Sequence, residues 1–191
     1  MAHITSIGAG IYSTLAIHFG TSASTDVALP ASPTVYGSWD DKFTTAANTA
    51  SATQFKLIDN IREFPSIGTP PNIVNVPVYG QAQSQQVQGQ SDAPNLELTI
   101  NYVPADWAAG TLLGDAVADG VSHAFRFTLA NTDTDGADGS VGASVMTVPN
   151  TQFFWIGKIE ALLVNPQLTD ANTATLTLSV QSDFYGAFTT A

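Results

Sequence analysis

The sequence contains no cysteine. That excludes a disulfide framework, a thiol nucleophile and any cysteine-based zinc site. Charge is scarce: Asp, Glu, Lys and Arg make up 11% of 191 residues, against about 25% in an ordinary soluble domain. Positive charge is scarcest. Five Lys and Arg face sixteen Asp and Glu, for a net charge of −11. Lys42, Lys56, Arg62, Arg126 and Lys158 are scattered, whereas tight binding to a phosphate backbone needs clustered cations. The chain is therefore expected to bind neither nucleic acid specifically nor anionic membranes. No stretch of about 18 apolar residues suggests a membrane span. His3, Ser6, Ser13 and His18 interrupt the N-terminal apolar run, so it does not read as a secretory signal.

What fills the space is Thr, Ser, Ala, Asn and Gln beside a hydrophobic fraction of 44%, enough for one sizeable core. Strand patterns dominate. Leu96, Leu98, Ile100 and Tyr102 alternate with Glu97, Thr99 and Asn101; Leu176, Leu178 and Val180 alternate with Thr175, Thr177, Ser179 and Gln181; Phe125, Phe127 and Leu129 alternate with Ala124, Arg126 and Thr128. Period two with one apolar face predicts half-buried antiparallel strands. Less regular strands are expected at 11–19, 54–63 and 152–164. Asp59–Asn60 should break the second, and the third, apolar on both faces in places, should be central or covered. One helix is predicted over 104–120, from Pro104 to a stop at Gly120, with Ala109, Leu112, Leu113, Ala116 and Val117 as its docking stripe. Gly110 and Gly114 within it should each cost roughly 1 kcal/mol. Trp107 falls off the stripe.

Residues 20–50, 65–95 and 131–144 read as loops. The middle one, with five prolines and six glutamines, is too long for a simple connection. No composition shift splits the chain, so 1–191 is expected to be a single domain: mainly β, an antiparallel β-sandwich or partial barrel with one flanking α-helix and long loops.

Motifs for chemistry are absent or incomplete. Asp133 and Asp135 begin a calcium-loop pattern that Ala137, Asp138 and Ser144 fail to continue, so a hairpin loop is the better reading. His3, His18 and His123 lack metal-ligand spacing. Ser122 and His123 are adjacent on a predicted strand and point to opposite faces. Gly8-Ala9-Gly10 lacks the remainder of a dinucleotide site, and Asp40–Asp41 suits a solvated turn. No arrangement assigns acid, base and nucleophile; neither enzymatic activity nor a cofactor or metal is expected.

The order of features resembles the phage tail tube protein family, the major tail proteins of long-tailed phages. The resemblance rests on FKLIDNIREFPSIG (55–68), TPPNIVNVPVYGQAQSQQVQGQ (69–90), LELTINYV (96–103), PADWAAGTLLGDAVADG (104–120), SHAFRFTLA (122–130) and the closing pair WIGKIEALLVNP and TATLTLSVQSD. It covers roughly 50–185, in layout and texture rather than through a signature motif; 20–50 is left as an embellishment. It implies a β-sandwich with a flanking helix, homohexameric rings joined into a continuous barrel, and rings stacked into a tube through which DNA and the tape-measure protein pass. It further implies tail terminator and tail-tip proteins as partners, and a location in the virion tail after assembly in the host cytoplasm. Under that resemblance Glu97, Thr99, Asn101, Thr175, Thr177, Ser179 and Gln181 are the lumen-facing candidates. Val78, Tyr79, Gln81, Gln83, Gln85, Gln86, Gln88 and Gln90 are the inter-ring candidates. Two other readings stay open: a type VI secretion-like tube subunit, and a monomeric carbohydrate-binding module using Trp39, Trp107 and Trp155 as stacking faces.

Overall fold

A computed structural model describes residues 13–20, 24–43, 55–69, 72–80, 82–89, 95–129 and 151–189. The elements run β1 (Thr14–His18), α1 (Gly37–Phe43), β2 (Phe55–Ile58), β3 (Ile61–Glu63), β4 (Ile73–Val76), β5 (Gln85–Gln88), β6 (Leu96–Asn101), α2 (Leu112–Asp119), β7 (His123–Leu129), β8 (Thr151–Asn165), β9 (Thr173–Val180) and β10 (Tyr185–Thr189). Eight strands form one antiparallel sheet in the order β2-β1-β7-β8-β9-β6-β3, with β10 also pairing β8; β4 and β5 form a separate hairpin. The sheet is not closed into a barrel, and the architecture is sandwich-like.

The 15 residues of β8 link two halves of this sheet. Its first half pairs with β7, from Leu129 opposite Thr151 to His123 opposite Gly157. Its second half pairs with β9, from Gly157 opposite Val180 to Asn165 opposite Thr173, with a register shift between Ile159 and Ala161. Such an irregularity bends a strand and increases its twist, which lets the two halves curve around a shared interior. The main core fills that interior with Leu15, Ile17, Leu98, Ile100, Phe125, Trp155, Leu176 and Leu178, among others. Phe125 and Trp155, directly opposite on β7 and β8, stack with centroids 5.5 Å apart.

A second core lies on the opposite face of the β2-β1-β7-β8 half. Ala16, Leu57, Ala124, Phe154 and Ile156 are covered there by Trp39 and Phe43 of α1. Trp39 is fully buried, stacks on Phe154 at 5.3 Å, and donates its indole N–H to the Pro33 carbonyl at 2.8 Å. This overturns the reading of 20–50 as a loop embellishment: part of it is a helix that closes the core, and Asp40–Asp41 lie in that helix rather than in a turn. It also changes β7. Ala124, Arg126 and Thr128 were expected to face outward, yet all are buried. The Arg126 guanidinium sits 5.0 Å from the centre of the Phe43 ring, an arrangement in which ring electrons attract the cation.

The predicted helix is shorter than expected. Residues 104–111 form turns; α2 begins at Leu112, with Thr111 as N-cap accepting from the Gly114 N–H at 3.1 Å. Pro104 is therefore not its first residue, and Ala109 is exposed rather than docked. Leu113 and Ala116 are buried, and Leu112 and Val117 pack beside them on the main core. Gly120 ends the helix in the left-handed region, as expected. Gly114 has a role that helix propensity does not reveal: a Cβ there would lie 2.2 Å from the Ala108 carbonyl oxygen. Trp107, in the preceding turns, packs against the main core. The strand predicted over 54–63 does break at Asp59–Asn60, where Asn60 takes φ 62°. The strand expected over 152–164 spans Thr151–Asn165 and is buried on both faces in its first half.

Two buried histidines flank these cores. His18 accepts from the Gly20 N–H through Nδ1 at 3.2 Å. Neither ring nitrogen of His123 meets a hydrogen-bond partner; its ring packs edge-on against Phe19 at 5.2 Å. Burial lowers the His18 pKa to about 4, helped by Lys42 and His123. Burial lowers that of His123 to about 4 against the opposing pull of Asp26 and Asp119.

Gly114→Ala improves helix propensity by about 1 kcal/mol yet should lower the melting temperature, because Ala108 has to move; an unchanged or raised melting temperature contradicts the close approach. Both histidines are neutral when folded, while the unfolded chain takes up protons near the ordinary value of about 6.5. Stability should therefore be full above about pH 6.5 and fall as pH drops toward about 4. The raised pKa of Asp59, caused by burial and then by Asp106, works in the opposite sense, so the informative comparison is with His123→Phe. That variant should lose less stability than the parent between about pH 7 and about pH 5, measured by urea midpoints; equal losses refute the assignment.

Candidate functional site

Three surface features remain once the cores are assigned. The first is the outer face of β6 and β9. Glu97 lies opposite Thr177, Thr99 opposite Thr175, and Asn101 opposite Thr173. Directly paired residues share a face, so Glu97, Thr99, Asn101, Thr175, Thr177 and Ser179 stand together on the side away from the core. The buried sets are Leu96, Leu98 and Ile100 on β6 and Ala174, Leu176, Leu178 and Val180 on β9. Gln181 lies one residue beyond β9; its side chain accepts from the Ser122 hydroxyl, so it does not extend the row as a free group.

Pairing adds members that alternation within single strands does not show. Glu63 on β3 lies opposite Thr99, and Ala161 and Leu163 on β8 lie opposite Thr177 and Thr175. At one end Ser179 donates to Glu160 at 2.7 Å, and Lys158 pairs with Glu160 at 3.4 Å. The Ser179 hydroxyl, aided by Lys158, holds the Glu160 carboxyl below its ordinary range. The surface is thus hydroxyl-rich, with Glu63, Glu97 and Glu160 as its carboxylates and a lysine already engaged.

The second feature is an open edge. The β7–β8 ladder ends at Gly157, so among the described residues Lys158–Asn165 pairs with β9 alone. Leu163 and Val164 on this stretch are exposed, at 61% and 42%. An edge of this length, with unpaired N–H and C=O groups and apolar side chains, templates pairing with another chain unless it is covered. The opposite end of the sheet presents β3, three residues long.

The third feature lies within the segment expected to be a loop over 65–95. It contains the hairpin β4–β5, in register from Ile73 opposite Gln88 to Val76 opposite Gln85, closed at its base by Gly89 N–H to Asn72 carbonyl at 2.6 Å. Among the described residues the strands pair only with each other, and every residue of both is exposed. Ile73, Val74, Val76 and Val87 therefore lie in solvent, and Tyr79 at the tip is 105% exposed. Of the inter-ring candidates, Val78, Tyr79 and Gln83 lie in the connection at the tip and Gln85, Gln86 and Gln88 on β5; Gln81 and Gln90 fall outside the described residues. No charged residue occurs between Glu63 and Asp92. The alternation in IVNV and the β-branched Val87 amid glutamines were the available strand signals; the surrounding Pro, Gly and Gln outweigh them in a local reading.

Among the described residues no group of three His, Asp or Glu could hold a metal, and no helix is long and apolar enough to cross a membrane. The calcium-like stretch at 131–139 with Ser144, His3, and Gly8-Ala9-Gly10 lie outside the described residues. Trp39 and Trp155 are buried and Trp107 half-buried, so they form no exposed stacking platform for a sugar.

Since every residue of β4 and β5 is exposed and none belongs to either core, replacing 72–89 with a short Gly-Ser turn should change the stability of the body by less than about 1 kcal/mol. A calorimetric melt of the variant checks this, and a large drop would mean the arm belongs to the fold rather than to an external contact. Comparison with models of known protein families finds none that matches, and comparison with curated proteins likewise finds no match.

Proposed function

We propose that this chain is a structural subunit that assembles with copies of itself into hexameric rings, stacked to form the tail tube of a phage virion. The observation that carries the reading is the uncharged β-hairpin arm with apolar side chains exposed on both faces. A two-stranded hairpin is marginal in water by itself, and an exposed apolar surface of this kind marks an interaction site. The open edge of β8 and the short edge strand β3 supply the complementary need: neighbours around a ring pair their edges and remove them from solvent. A head-to-tail contact that closes gives a ring, and one that does not close gives a filament. Edges serve the first and the arm the second.

The charge pattern suits this role. A tube wall that conducts DNA must not hold it, and phosphate binding needs cations. The β6–β9 face, with its hydroxyls and carboxylates, is the proposed lumen wall, along which DNA and the tape-measure protein would pass. Subunits of net charge −11 repel each other at long range, so the contact between rings is best made by a segment without charge, in which the glutamine amides hydrogen-bond and the valines bury area.

Purified protein examined by negative-stain electron microscopy should show rings or tubes; uniformly monomeric particles at high concentration would refute the proposal. With 72–89 replaced, rings should persist while stacking into tubes is lost.

A further inference from the structure

A cleft of about 440 Å³ opens beside the root of the arm. Its walls include Leu29, Thr69, Gln181, Asp183 and Tyr185. Thr69 is on the chain that leads out into β4, so receptor and arm are neighbours in one subunit. Leu29 is 44% exposed and gives the cleft an apolar wall together with the Tyr185 ring and Val180. Asp183 is its carboxylate. The volume lies in the range of about 300–1,000 Å³ typical of clefts that enclose a compact group.

We infer that this cleft receives Tyr79 from the arm of a second copy of the chain. Tyr79 stands at the tip with nothing of its own subunit covering it, at 105% exposure. Tyr79 does not occupy the cleft of its own subunit, and the paired stretch Ile73–Val76 alone separates tip from root by about 10 Å, three steps of ~3.3 Å. The chemistry of the two partners matches. A tyrosine has an apolar ring and a polar end that seeks a hydrogen-bond partner when buried; the cleft offers Leu29, Val180 and Tyr185 to the ring, and the Asp183 carboxylate or the Gln181 amide to the hydroxyl. The rest of the arm brings no charge toward an acidic subunit. Each copy carries one tip and one cleft at different places, so the contact is head-to-tail and propagates. The inference rests on the self-assembly reading and names the site that reading leaves unspecified.

The absence of native cysteine makes the test clean. Tyr79→Cys combined with Leu29→Cys, treated with a short bis-maleimide that replaces the length of the lost ring, should give a ladder of covalent multimers on a denaturing gel. The control pairs Tyr79→Cys with Leu168→Cys, which is fully exposed and lies beyond the opposite end of β9; it should give far less. Separately, Tyr79→Ser should raise the protein concentration needed for tubes by about tenfold or more, the loss expected when a buried aromatic anchor is truncated. If the parent forms tubes but the Leu29 pair cross-links no better than the control, the cleft is not the receptor and self-assembly stands. If the parent forms no assemblies at all, the self-assembly reading falls and the inference falls with it.

Discussion

The structure depends on how one strand, β8, is buried. Over its first half Trp155 faces the main core while Phe154 and Ile156 face the second. A strand apolar on both faces needs cover on both, and the requirement propagates. It draws α1 onto one face, with Trp39 and Phe43 as the covering side chains. It makes β7 and Arg126 interior, although Arg126 would be an outward position on a one-sided sheet. Past the irregularity at Ile159–Ala161 the demand relaxes: β8 runs on beside β9 with one face solvated and one edge bare. A single strand thus divides the molecule into a half that is closed on both faces and a half that is not.

That division explains where interaction surfaces can lie. The closed half has used most of its apolar area, the cleft walled by Leu29 and Tyr185 excepted. The open half retains a hydroxyl-rich face and the bare edge of Lys158–Asn165, and the arm leaves the body at Thr69, near the Val180 end of β9. Apolar side chains on the arm cannot be justified by the subunit itself, since β4 and β5 touch no core. Scattered exposed apolar residues need no explanation, but a contiguous set on an otherwise unsupported hairpin does. The low charge content agrees with this view: carboxylates mark the sheet face, while the segment between Glu63 and Asp92 carries no charge.

Much of the fold was legible in sequence where one face of an element decides its pattern. The β6 and β9 alternations are one-sided and read correctly, down to which residues share the outer face. The break at Asp59–Asn60 and the stop at Gly120 are local backbone events, signalled by residues that tolerate positive φ. What was not legible depends on partners distant in sequence. Ala124, Arg126 and Thr128 look outward until α1 is placed over them. Trp39 and Phe43 look like loop residues because α1 has only seven positions, too few for a periodic stripe to register. The start of α2 was misplaced because Ala109 extends the apolar spacing; Thr111, which caps the helix through the Gly114 N–H, was the residue to weigh instead. Alternation could select the outer-face residues of β6 and β9 in advance, whereas the edge of β8 and the cleft exist only once non-adjacent strands are assembled.

In the proposed contact between arm and cleft, assembly would not compromise the subunit. Burial of Tyr79 draws on surface that the folded subunit does not use, and Leu29, Gln181 and Asp183 lie on connections rather than within the two cores. Under that proposal stability and stacking are separable: changes in α1, α2 or the first half of β8 should act on folding, and changes at 72–89 on contact between copies. A chain of net charge −11 gains from this separation. Repulsion between copies is long-ranged and screened over about 8 Å at physiological ionic strength, so it opposes casual association, whereas the proposed entry of an uncharged tip into a matched cleft would act only at contact. Weak attraction everywhere would favour indiscriminate aggregation; repulsion everywhere with contact adhesion at one place favours a single mode of stacking.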